Sequence, residues 1–205
     1  MGPAVVSAFG IEGFANVAAV RVEIYTSAYH VAGTIQTPFH RVAEILNQIP
    51  SAHLAVEHAT ISEHATDGET RSAASVLVAI DQICVMLAHD LVSEPSGELR
   101  IEKRPVRAEI DVPPLRVGGT IHVPVGSRPI DGLLNVQDRF MAMTDATISS
   151  ASVPRLDRSA SVIALRRDQA HLLLVADDDH PGDPLAEVID EPTAEAWLRA
   201  GEPPE

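Results

Sequence analysis

The chain has 205 residues, with 29 acidic against 15 basic side chains, a net charge of −14 and an aromatic content of 3%. That length suits one ordinary domain or two small ones. The acidic excess repels phosphate backbones at long range, which weighs against strong binding of nucleic acid. The single cysteine, Cys84, excludes an internal disulfide and a zinc site built from several cysteines.

The first twenty residues are apolar, but they contain no basic residue, and Glu12 and several glycines interrupt them. A secretory signal needs a basic start, and a membrane span needs a longer uninterrupted apolar run. The sequence therefore predicts neither, and the cytoplasm is the expected location.

The chain contains an internal repeat. Residues 21–38 read RVEIYTSAYHVAGTIQTP and residues 107–124 read RAEIDVPPLRVGGTIHVP, so that eight of eighteen positions are identical. Chance pairing gives about one identity over that length, given ordinary amino-acid usage. Further matches follow in the same order over about seventy residues, and the last of them is Asp81-Gln82 with Asp168-Gln169. The chain is a tandem duplication.

Each copy has the alternating apolar and polar pattern of short, half-buried strands. Asp81-Gln82 predicts a tight turn before the last strand of the first copy. In the first copy the patterns predict strands over 20–25, 29–36, 53–62, 74–80 and 83–88, and a short helix over 42–48. The fold class is therefore mainly all-β, with five strands and one helical insert in each copy.

Two glycines and two prolines have structural meaning in these patterns. Gly33 and Gly119 lie at the centres of equivalent strands, which predicts a strong bend or a close backbone approach. Pro38 and Pro124 end those strands because proline cannot donate to a ladder.

The predicted organisation has five parts, and the last of them is an acidic, proline-rich tail. Thr193 is expected to cap a short helix in that tail, and Gly201 to end it. Trp197, the only tryptophan, is expected to pack this helix against the rest of the chain or against a neighbour. The parts are an extension over 1–19, a first β-barrel repeat over 20–91, a linker over 92–106, a second repeat over 107–179 and the tail over 180–205.

The motifs of the second copy resemble those of Sm-like proteins. Gly119-Thr120-Ile121 is followed by Asp131-Gly132-Leu133-Leu134-Asn135 and then by an apolar strand over 141–146. The strand pair over 161–165 and 170–175 is similar to the second motif of that family. The resemblance implies two tandem five-stranded, strongly bent Sm-like or SH3-like barrels that assemble into rings by pairing strands between subunits.

The same resemblance suggests a site for nucleic acid or a partner. It implies that Asn47 and Asn135, with Asp131 nearby, contact bases. Asparagine readily bonds local backbone, so a role in a turn or cap is the alternative. Neither copy has the Arg-Gly pair that helps Sm rings hold RNA, because Asp81-Gln82 and Asp168-Gln169 stand at those turns.

Four arginines in the second copy form a candidate patch: Arg155, Arg158, Arg166 and Arg167. Such a patch would contact RNA or a partner, or would be a solvated or subunit-facing surface.

No pattern predicts catalysis, a cofactor or a metal. The chain lacks a nucleophile elbow, a glycine-rich phosphate loop and paired acid motifs. Histidines concentrate in the first copy, but His53 and His58 lie five residues apart on a strand and so point to opposite faces. The sequence therefore names no catalytic, cofactor or metal residue.

Three functions remain open. The first is a non-enzymatic assembly or scaffold protein whose exposed strand edges bind other copies of itself or a partner. The second is an RNA-binding regulator of the Sm-like type, disfavoured by the net charge. The third is a metal- or small-molecule-responsive accessory subunit of an enzyme complex.

Overall fold

The computed structural model describes residues 17–65, 69–89, 91, 102–130 and 137–175. These residues form a mainly antiparallel β structure, so the predicted all-β class is confirmed. The helix predicted over 42–48 is α1 (Val42–Gln48). In the part of the chain that the structure describes, no helix has the length and apolar composition needed to cross a membrane.

The ten strands among the described residues fall into two groups of five, one in each sequence copy. The first repeat contains β1 (Ala18–Thr26), β2 (Tyr29–Thr37), β3 (His53–Glu63), β4 (Thr70–Ala79) and β5 (Ile83–His89). The second repeat contains β6 (Lys103–Val112), β7 (Leu115–Pro124), β8 (Phe140–Ser149), β9 (Arg158–Arg166) and β10 (Leu172–Val175).

All ten strands belong to one sheet in the order β10-β6-β7-β8-β9-β5-β1-β2-β3-β4. Each repeat therefore has its fifth strand beside its first, followed by its second, third and fourth strands. The repeats join where β5 pairs with β9. Among the described residues β4 and β10 are the two outer strands, and no pairing between them closes the sheet.

Strand pairing fixes which residues of the two repeats are equivalent. Glu23 opposes Ala32 and Glu109 opposes Gly118, so β1 and β2 correspond to β6 and β7 at a spacing of 86 residues. Ala59 opposes Ala73 and Ala146 opposes Ala160, so β3 and β4 correspond to β8 and β9 at a spacing of 87 residues. Val85 opposes Tyr25 as Leu172 opposes Asp111, which gives β5 and β10 the same spacing of 87.

Both repeats contain the same bulge at the predicted glycine. Gly33 on β2 faces two residues of β3, and Gly119 on β7 faces two residues of β8. The first bulged residue has a positive φ in each case, 50° at His58 and 49° at Asp145. A Cβ at Gly33 would lie 2.7 Å from the carbonyl oxygen of Glu57, so only glycine lets the two strands approach this closely.

The second strand of each repeat ends at or beside its predicted proline, but the second repeat begins earlier than predicted. β2 stops at Thr37, one residue before Pro38, and β7 stops at Pro124. β6 begins at Lys103, inside the predicted linker over 92–106, because Lys103 continues the ladder opposite Pro124. Asp131, Asn135, Trp197 and the tail over 180–205 lie outside the described residues.

We expect Gly119→Ala to lower the free energy of unfolding by about 1–3 kcal/mol, the usual cost of overpacking. Its new Cβ would lie 2.8 Å from Met143 Cγ and 2.9 Å from the carbonyl oxygen of Thr144. Gly118→Ala is the matched control, since its Cβ meets only the Thr147 hydroxyl at 3.2 Å. Urea unfolding measures both variants, and equal stabilities would contradict the close approach at Gly119.

Candidate functional site

The two repeats meet at a junction within the single sheet. Its backbone pairing links β5 of the first repeat to β9 of the second. All six paired residues are 2% exposed or less. They are Val85 with Leu165, Met86 with Ala164, and Leu87 with Ile163.

Strand β5 is buried because its two faces pack into two different cores. Ile83 and Met86 belong to the hydrophobic core of the first repeat. Val85 and Leu87 belong to the core of the second repeat. The second repeat also contributes residues to the core of the first, because Phe140 of β8 and Ala164 of β9 pack there. Each repeat thus completes the core of the other.

Asn47 fastens α1 to the second repeat. Its side-chain nitrogen donates to the carbonyl oxygen of Phe140 at 2.9 Å, and its side-chain oxygen accepts from the Phe140 amide at 3.0 Å. The sequence left two roles open for Asn47, which were contact with bases and a local turn or cap. The structure shows a bridge between the two repeats that spans 93 residues of chain, and contact of Asn47 with bases stays a prediction.

The turns after β4 and β9 are also linked. Arg166 is 8% exposed, donates to the carbonyl oxygen of Ile80 at 2.9 Å and is held by an ion pair with Asp168. Gln169 donates to the carbonyl oxygen of Asp81 at 2.7 Å and accepts a hydrogen bond from the Cys84 thiol at 3.0 Å. Burial raises the pKa of Cys84 to about 11, so the thiol stays protonated at neutral pH.

A charged cluster around Glu23 lies at the same junction. The Glu23 carboxylate is 3.2 Å from His30 Nε2, 3.0 Å from His89 Nε2 and 3.4 Å from Arg158 Nε. Tyr25 donates its hydroxyl to the same group at 3.2 Å. The hydrogen bond from His30 is the largest cause that lowers the pKa of Glu23, which falls to about 2. Arg158 therefore faces a carboxylate that is ionised at neutral pH.

β10 is equivalent to β5, and β4 is equivalent to β9. These two strands lie at the ends of the sheet, and no described strand covers their outer sides. On β4, Leu77 is 66% exposed. On β10, Leu172 is 58% exposed and Leu174 is 56% exposed. Apolar side chains of this size normally avoid water, and a row of them on an outer strand is typical of a pairing surface. We call the outer sides of β4 and β10 the free edges.

A cavity of about 400 Å³ lies beside the β10 edge. Its apolar wall is formed by Ile110, Met141, Leu165 and Leu173, with Ile130 at its margin. In the first repeat, the residues equivalent to Ile110, Met141, Leu165 and Leu173 are Ile24, Leu54, Val78 and Met86, respectively. Those four belong to the core that contains Phe140 and Ala164. Among the described residues, the second repeat thus has an apolar space at the place where the first repeat receives side chains from its neighbour.

The remaining arginines of the predicted patch also contact backbone. Arg155 donates to the carbonyl oxygen of Glu63 at 2.6 Å, and Arg167 donates to that of Asp138 at 3.1 Å. Together with Arg158 at Glu23 and Arg166 at Ile80, three of the four arginines connect the second repeat to the first. Their contact with nucleic acid or a partner stays a prediction.

Among the described residues no group of three or more His, Cys, Asp and Glu side chains is placed to hold a metal ion. Comparison with protein-family models, with curated proteins and with solved structures finds no match to this chain. The resemblance to Sm-like proteins therefore stays a prediction.

Sequence reasoning missed the Glu23 cluster and the exchange of core residues between repeats. His89 lies 66 residues from Glu23 and no motif connects them. A partial signal for the exchange was present, because the run over 83–87 is apolar at every position, which is typical of a strand buried on both faces.

We expect Asn47→Ala to lower the free energy of unfolding by about 1–3 kcal/mol, because it leaves the Phe140 amide and carbonyl without their partners. Gln48→Ala is the matched control, since Gln48 is exposed on the same helix and its side chain makes no hydrogen bond among the described residues; helix propensity alone would favour Asn47→Ala over this control. Urea unfolding distinguishes them. Equal stabilities of the two variants would show that the bridge contributes nothing.

Proposed function

We propose that this chain is a non-enzymatic assembly protein that binds polypeptide strands of its own copies or of a partner at its two free edges. The observation that carries the proposal is the contrast between equivalent strands. The residues that pair at the β5–β9 junction are fully buried, whereas Leu77 of β4 and Leu172 and Leu174 of β10 are more than half exposed.

Strand addition is the chemistry that such edges offer. An outer strand presents unpaired amide and carbonyl groups, and an added strand satisfies them while its side chains fill adjacent pockets. Burying one exposed leucine contributes about 1.5–3 kcal/mol, so three of them provide a substantial part of a binding free energy. The chain already uses this mode of association once, within itself.

We further propose that each repeat is a strongly bent barrel of the Sm-like or SH3-like type. The shared strand order and the matching bulges at Gly33 and Gly119 support this proposal, because bulges and glycines bend strands at barrel corners. Repeats joined through unlike edges propagate as a ring if the rotation closes and as a filament if it does not.

The proposal predicts that the protein associates and that Leu77→Asp lowers its mass in solution. A carboxylate at position 77 of the β4 edge would be buried without a partner on pairing, so association should weaken by about tenfold or more. Val125→Asp is the matched control, because Val125 is 55% exposed but lies outside every strand. Light scattering over a concentration series measures all three proteins.

The wild-type protein and Val125→Asp should share one mass well above 21.9 kDa, or should both retain a partner that Leu77→Asp loses in a pull-down from the native cell. A wild-type protein that is monomeric and captures no partner would contradict the proposal. So would a Leu77→Asp variant that behaves as the wild type does.

A further inference from the structure

The cavity beside Leu173 has the dimensions of a small-molecule site. Its volume of about 400 Å³ falls within the range of about 300–1,000 Å³ that is typical of such sites. Ile110 and Leu165 line its wall and are 1% and 0% exposed, so the cavity reaches the buried core of the second repeat. Met141 and Ala170, which are partly buried, belong to the same wall. An apolar space of this kind favours an apolar group over water.

The first repeat indicates which group fits such a wall. The residues equivalent to the cavity wall pack in one core with Phe140, whose side chain comes from the second repeat and is 1% exposed. The guanidinium carbon of Arg166 lies 5.8 Å from the centroid of that ring. A phenyl ring beside a cation is thus part of the first core at the place where the second repeat has its cavity.

The rim of the cavity carries charges of both signs. Asp168 is paired with Arg166, which donates two hydrogen bonds to its carboxylate. Arg167 donates to the backbone carbonyl oxygen of Asp138 at 3.1 Å. The Asp138 carboxylate and the Arg139 guanidinium are exposed, and neither makes a hydrogen bond or an ion pair among the described residues. One anion and one cation are therefore available to a ligand at the rim.

We infer that this cavity binds a free aromatic amino acid. The ring lies against the apolar wall, the α-carboxylate pairs with Arg139 and the α-ammonium pairs with Asp138. Both observations are needed for this assignment, because the wall alone would accept any ring and the rim alone would accept any small zwitterion. The inference goes beyond the proposed function, since it concerns a small molecule and requires no second polypeptide.

Binding of four small molecules tests the ring and the charged head group separately. L-phenylalanine carries the ring and both charges, 3-phenylpropionate lacks the ammonium, phenethylamine lacks the carboxylate, and L-alanine lacks the ring. Titration of the full chain, followed by NMR, should give the lowest Kd for L-phenylalanine. Loss of either charge should raise the Kd by about two- to fivefold, the usual worth of an exposed ion pair. L-alanine should show no measurable binding.

Charge variants of the rim test the two head-group contacts. Arg139→Gln should raise the Kd of L-phenylalanine and of 3-phenylpropionate by about two- to fivefold. It should not raise the Kd of phenethylamine, which has no carboxylate. Asp138→Asn should weaken L-phenylalanine and phenethylamine to a similar extent and should not weaken 3-phenylpropionate. A variant that weakens all three ring compounds equally would overturn the assignment of the head group.

Ala170→Leu tests the position of the ring, because the larger side chain takes up space in the cavity. It should raise the Kd of L-phenylalanine by about tenfold or more, since the ring then loses its apolar contacts. Ala142→Leu is the matched control, because Ala142 is exposed on β8 and does not line the cavity. Nuclear Overhauser effects from the bound ring to the methyl groups of Leu173 and Met141 give a second readout, which needs only the wild-type protein.

The outcomes separate this inference from the proposed function. If neither the wild type nor Leu77→Asp, whose change lies on β4, binds L-phenylalanine, the inference fails while edge-mediated assembly stands. The inference also fails if the three ring compounds bind with one Kd, or if the bound ring shows no contact with Leu173 and Met141. If L-phenylalanine binds as expected and the protein neither associates nor captures a partner, the inference stands and the proposed function fails.

Discussion

The antiparallel pairing of β5 with β9 is the interaction on which the rest of this structure depends. It places β5 between two cores, so that Met86 packs with the first repeat while Val85 and Leu87 pack with the second. Asn47 and Arg166 stabilise the same junction with hydrogen bonds, and Arg158 does so with an ion pair. A chain with few aromatic residues thereby obtains buried area by sharing cores between small repeats.

The two repeats are equivalent in backbone but not in their surroundings. The first repeat has a neighbour on its β5 side, and the second repeat has one on its β9 side. Among the described residues no strand pairs with the outer side of β4 or β10, where Leu77, Leu172 and Leu174 are exposed and where the cavity beside Leu173 lies. The pairing proposed for the free edges would cover all of these features.

Much of this arrangement was accessible from the sequence. The duplication, the all-β class, the helix over 42–48 and the bends at Gly33 and Gly119 follow from periodicity, repeats and the stereochemistry of glycine. The junction did not follow, because alternation within a strand shows which residues are buried but not which repeat buries them. Asn47 shows the limit most clearly: its local sequence favours a cap or turn, whereas its partner Phe140 lies 93 residues away.

Amide hydrogen exchange over a dilution series tests the central claim most directly, because it reports on individual backbone hydrogen bonds. Pairing of the free edges predicts that the outward amides of β4 and β10 become protected as protein concentration rises. The amides of β5 and β9 should remain protected throughout, since their pairing lies within one chain. Edge amides that exchange at one rate at every concentration would contradict the account.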